Sequence, residues 1–177
     1  MKVYKCLITG DELFTDVYNY VEKDGLLVVR GKYITRSKGD KIDEKCYGGN
    51  ASAEEPKEAE GEETTESGCN VCLDGRFGST GFGTKKEYLA YFKDYVKALE
   101  NIKKQTNPDM DFVAWRAEMT ETYKSAVASF KDYEFYTGES NDPAGMIVLV
   151  KWQKPEGEDE EVPFVYFYKE GIKEEKY

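Results

Sequence analysis

The sequence predicts an α+β fold, and three observations predict it. Short β-branched and aromatic runs lie at both ends of the chain, two long stretches of helical period lie between residues 84 and 131, and a stretch without periodicity separates the first strands from the helices. At 177 residues with 40% hydrophobic and 14% aromatic content, the chain is long enough and apolar enough to bury one core.

The strands come first. Val3–Ile8 is apolar and is broken by Gly10-Asp11-Glu12, and Leu26–Arg30 follows the turn pair Asp24-Gly25. From about residue 37 to 67 the chain is Gly, Ser, Thr, Glu and Lys, with too little apolar surface to offset its ordering entropy, and reads as a long flexible acidic loop. Glu54 to Glu66 holds seven glutamates against the single base Lys57, more than half of the net charge of −10. A remaining strand is expected around Cys69-Asn-Val-Cys72.

Thr84-x-x-Glu87 is a capping box, in which the hydroxyl accepts from the Glu87 N–H and the carboxylate reaches back to the cap. Tyr88, Phe92, Tyr95, Leu99 and Ile102 then form one helical face. Asn107-Pro108-Asp109 is expected to stop that helix and cap the next, with Pro at its first position. Phe112, Trp115, Met119, Tyr123, Ala126/Val127 and Phe130 repeat the pattern, giving a helical hairpin over about 84–131. Tyr133–Tyr136, Met146–Trp152 and Phe164–Tyr168 read as strands, with the acidic run Glu156–Glu161 as an exposed hairpin loop.

Composition excludes several function classes. The acidic excess opposes nucleic acid and anionic lipid as main partners. No stretch has membrane-spanning length, the N-terminus is too short and polar for a signal peptide, and four scattered cysteines suit the cytoplasm. There is no histidine, which removes Ser-His-Asp and Cys-His devices and the commonest metal ligand. An enzyme is not expected.

Two motifs carry a family resemblance. Gly48-Gly49-Asn50-Ala51-Ser52-Ala53-Glu54-Glu55-Pro56 closely resembles the signature of the translationally controlled tumour protein family. Phe130-Lys-Asp-Tyr-Glu-Phe135-Tyr-Thr-Gly138-Glu139, continuing into Asn141-Asp-Pro-Ala-Gly145, is similar to that family's second signature, and Tyr4 to Phe14 is similar to its N-terminus. The resemblance implies one domain over 1–177: a β-tent core of small, mostly antiparallel sheets, a protruding helical hairpin and a flexible acidic loop. That fold is similar to zinc-binding exchange factors for small GTPases. The resemblance also implies a growth and survival regulator that binds a Ras-like small GTPase, calcium and tubulin or microtubules, and anti-apoptotic proteins. Three positions depart from the family pattern. Tyr47 replaces an aliphatic residue, Lys45 stands where animal members carry a phosphorylated serine, and Tyr177 where they carry a dimerising cysteine, so a monomer is expected.

Glu12 and Glu139, with Asp11 assisting, are the residues the resemblance places at a GTPase-binding groove, where a carboxylate competes for the partner's phosphate-binding lysine and Mg²⁺. The plain alternative is that both glutamates close turns in solvent. Lys85, Lys86, Lys93, Lys97, Lys103 and Lys104 on the first helix would attract acidic tubulin tails, or simply form a solvated face with local ion pairs. The glutamate clusters suit loose calcium binding, at about 10⁻⁴–10⁻³ M, and contain no EF-hand loop. No cofactor is expected. Cys69 and Cys72 supply at most half a zinc site, and on a strand they would face opposite sides. Gly48 and Gly49 permit tight turns, and Asn50 and Ser52 bond locally, so that signature reads as a hinge beside the loop.

Overall fold

A computed structural model describes residues 1–37 and 65–177. The Gly48–Pro56 signature, Lys45, Tyr47, Cys46 and the glutamates from Glu54 to Glu63 lie outside the described residues.

Eleven strands are described: β1 (Lys2–Cys6), β2 (Glu12–Thr15), β3 (Tyr20–Lys23), β4 (Leu26–Arg30), β5 (Tyr33–Ser37), β6 (Thr65–Cys69), β7 (Gly78–Thr80), β8 (Tyr133–Thr137), β9 (Val148–Gln153), β10 (Val162–Tyr168) and β11 (Ile172–Lys176). Three helices accompany them: α1 (Asn70–Gly75), α2 (Lys85–Thr106) and α3 (Phe112–Val127). The strands form three antiparallel sheets, ordered β11-β1-β2, β3-β4-β10-β9-β8-β7 and β5-β6. The chain ends meet across the first sheet, where the Met1 ammonium donates to the Tyr177 carbonyl and the Tyr177 N–H to the Met1 carbonyl.

β9, β10 and β4 are central, and Val148, Leu149, Val150, Val165, Phe167, Tyr168 and Val29 on them are essentially inaccessible. The apolar stripe of α2, Tyr88, Phe92, Tyr95 and Leu99, is buried as its spacing requires. It lies on this sheet, with the Tyr88 and Tyr168 hydroxyls bonded at 2.7 Å. The Thr84 hydroxyl accepts from the Glu87 N–H at 3.2 Å, but the Glu87 carboxylate reaches the Gly83 N–H rather than that of Thr84. The second half of the capping box thus closes one residue early.

Several expectations are corrected. Pro108 and Asp109 do not start the second helix: they form a turn closed by the Met110 N–H on the Asn107 carbonyl. Asp111 caps instead, because its carboxylate is the one placed to accept from the Val113 and Ala114 N–H groups. Thr122 is buried where the apolar pattern favours Tyr123. Its hydroxyl is satisfied by the Glu118 carbonyl one turn back, and its small side chain fits beside Gly25. Cys72 is not on a strand. β6 ends at Cys69, and the chain turns at once into α1, because Asn70 Oδ1 accepts from the N–H groups of Lys32 and Val71. Residues 65–67, read as the end of the acidic loop, pair in β6 with β5.

Candidate functional site

The site grows from two connections. The β1–β2 connection carries Asp11 and leads into Glu12, the first residue of β2, and the β8–β9 connection carries Gly138 to Gly145. One latch joins them. Asp11 Oδ2 accepts from the Ser140 hydroxyl at 2.6 Å and from the Ser140 N–H at 3.3 Å. Gly138 makes the approach possible, since a Cβ there would lie 2.9 Å from the Asp11 Cβ. Asp11 is half-buried and spent on this contact, whereas Glu12 and Glu139 remain exposed on either side of it.

The β8–β9 connection is stiff. The Asn141 N–H bonds the Gly138 carbonyl, the Gly145 N–H bonds the Asp142 carbonyl, and the Asp142 carboxylate accepts from the Ala144 N–H at 2.9 Å. Asn141 adopts φ 57°, a conformation its short polar side chain tolerates, and Thr137 donates to its Oδ1 at 3.0 Å. Tyr91 of α2 clamps the far end. Its hydroxyl donates to the Gly145 carbonyl at 2.8 Å and accepts from the Ile147 N–H at 2.9 Å. Burial pushes that hydroxyl well above its ordinary pKa, so it stays protonated and keeps both bonds.

Glu12 lines a cleft of about 230 Å³ with Leu13, Phe14, Tyr18, Asp74 and Gly75. The Asp74 carboxylate accepts from Tyr18 and from Arg36, the latter at 2.7 Å, so α1 is fastened to the β2–β3 turn and to β5. Burial, helped by Asp74, raises the Tyr18 hydroxyl far above its usual pKa. Arg76, in the left-handed conformation that ends α1, reaches across to Glu139 at 3.2 Å. Glu139 therefore has a partner, and Glu12 has none among the described residues. Nothing in the local pattern around Arg76, Tyr91 or Ser140 marks them, since each acts on a segment distant in sequence.

The six helix lysines divide. Lys103 bonds Glu170 at 3.4 Å, and Lys104 bonds Glu100 at 3.1 Å while lying 5.7 Å from the Phe112 ring centre. Lys85, Lys86, Lys93 and Lys97 are exposed and make no ion pair among the described residues. Of the acidic clusters, Glu66 is paired with Arg36 and Glu158 with Arg30. No group of three or more Cys, Asp or Glu side chains converges as a metal site among the described residues. No helix there is long and apolar enough to cross a membrane.

The family model for the translationally controlled tumour protein matches residues 1–173. The chain belongs to that family. It is 40% identical to the translationally-controlled tumor protein homolog of Xenopus laevis and 41% identical to that of Drosophila melanogaster, covering 99% of both chains in each case. Among solved structures it resembles the translationally controlled tumor-associated protein p23fyp from Schizosaccharomyces pombe, with a TM-score of 0.73 and 35% identity over the whole of both chains. Family membership makes the α+β architecture of small antiparallel sheets and a helical hairpin the family fold. The second signature has a structural meaning: Gly138 admits Asp11, and Asn141 to Gly145 build the stiff connection that carries Glu139.

Proposed function

We propose that the protein is a non-enzymatic interaction protein, a cytoplasmic regulator of growth and survival that binds a Ras-like small GTPase through the rim formed by Glu12 and Glu139. The Asp11–Ser140 latch carries this reading, because it holds the start of β2, which bears Glu12, beside the β8–β9 connection, which bears Glu139. Glu12 is the carboxylate available to a cationic partner group, and Glu139 becomes available when Arg76 is displaced. Rim charges act on encounter and register more than on buried contact area. Glu12→Ala should therefore weaken binding of the GTPase from the same organism by about tenfold, ~1.4 kcal/mol, with an unchanged urea midpoint. Calorimetric titration giving equal affinities for the two proteins would refute the assignment.

A second reading concerns microtubules. Lys86, Lys93 and Lys97, exposed and unpaired among the described residues, lie at helical spacing on one strip of α2, with Lys85 beside it. Binding of acidic tubulin tails to this strip would fall steeply between low and physiological salt. Co-sedimentation that is insensitive to salt would count against it.

A further inference from the structure

The Cys69/Cys72 pair takes no part in the rim and stands at the junction of β6 and α1. Cys69 is the last residue of β6 and caps α1, and Cys72 stands one turn on, so both sulfurs share the same end of the helix. Gly31 leaves the space for Cys69: a Cβ at that position would lie 3.1 Å from the Cys69 Sγ. Among the described residues neither of the pair is in a disulfide.

We propose that Cys69 and Cys72 are a redox-active dithiol that closes to an internal disulfide at the expense of a low-molecular-weight disulfide such as oxidised glutathione.

The two sulfurs are not equivalent. The Cys72 thiol, and then the first-turn N–H groups of Cys72 and Val71, favour the thiolate of Cys69 and lower its pKa to about 7, although none makes a full capping bond. Its neighbour and burial drive Cys72 the other way. Cys69 is therefore the attacking group and Cys72 the resolving one. The Cys69 thiolate attacks one sulfur of the small disulfide, breaking its S–S bond and releasing one thiolate. Cys72 gives its proton to that thiolate, and its sulfur attacks Cys69 Sγ, forming the internal bond and releasing the second thiolate, which is protonated by solvent. Two protein thiols lose two electrons, and the small disulfide gains them as two thiols.

Access comes from the local architecture. Cys69 is 5% and Cys72 7% exposed. Cys69 ends one strand of the two-stranded β5–β6 ladder, in which it pairs with the exposed Tyr33. A two-stranded ladder opens readily without global unfolding. Closure also has a route outward, because α1 carries Asp74, which holds Tyr18 and Arg36, and ends at Arg76, which holds Glu139.

The test is exposure of the full folded chain, in the absence of denaturant, to oxidised glutathione, followed by intact mass measurement and peptide mapping. The expected result is loss of two hydrogens' mass with Cys69 linked to Cys72, reversed by reduced glutathione. In Cys72→Ser, glutathione should remain bound to Cys69, and in Cys69→Ser position 72 should stay a free thiol. The wild-type map decides the matter even if a variant misfolds. Linkage of either cysteine to Cys6 or Cys46, a stable glutathione adduct on the wild-type protein, or unmodified Cys69 and Cys72 would each overturn the proposal.

Discussion

At the residue scale, identical side chains do opposite things according to their partners. The Tyr88 and Tyr168 hydroxyls satisfy one another in the core. Tyr168→Phe leaves the Tyr88 hydroxyl unpaired and should cost about 1–3 kcal/mol in urea denaturation. Tyr95 is equally buried, but its hydroxyl has no hydrogen-bond partner among the described residues. Tyr95→Phe removes an unpaid desolvation cost, so the unfolding midpoint should hold or rise. A clear fall would show that the hydroxyl is satisfied. Arg76 poses a different question, because its bond to Glu139 is an exposed pair whose loss should change stability by under about 1 kcal/mol. Arg76→Ala frees the Glu139 carboxylate and should tighten GTPase binding, read by the same titration. Weaker binding would make Arg76 itself the contact.

At the element scale, the hairpin is held by its own charges as well as by its apolar stripe. Arg116 of α3 donates to both carboxylate oxygens of Glu100 on α2, at 2.6 and 2.9 Å, and Lys104 adds a third contact. Arg116 first, then Lys104, lowers the Glu100 carboxyl to about 2. The folded value is below the unfolded one of about 4.3, so the contribution is complete above that pH and fades as the pH falls towards 2. The stability difference between the wild type and Arg116→Ala should therefore shrink between about pH 5 and pH 3. A difference independent of pH would mean that Arg116 acts by packing alone. The two long helices were legible because Tyr88, Phe92, Tyr95 and Leu99 repeat with helical period. β3 and β11 were not, since Tyr-Val-Glu-Lys and Ile-Lys-Glu-Glu-Lys are largely exposed edge strands without an apolar alternation. The helix Asn70–Gly75 is not legible in the sequence because six residues give too short a window for period, and a side chain outside the apolar pattern, Asn70, sets the turn.

At the scale of the whole molecule, the candidate site depends on a clamp between layers. Tyr91 ties α2 to the connection that carries Glu139. Tyr91→Phe strands the Gly145 carbonyl and the Ile147 N–H, and should cost about 1–3 kcal/mol while weakening GTPase binding in parallel. Loss of stability with unchanged affinity would separate the clamp from the rim. By itself the sequence determined the family, the α+β class and the helical hairpin, because these rest on local period and contiguous motifs. Only the tertiary structure decided that Asp11 is a latch, that Glu139 is held by Arg76, and that Lys103 is spent on Glu170. Each of those facts is a hydrogen bond or ion pair between segments remote in the chain. Pairing of that kind depends on how the sheets and helices pack, which spacing along the chain does not encode.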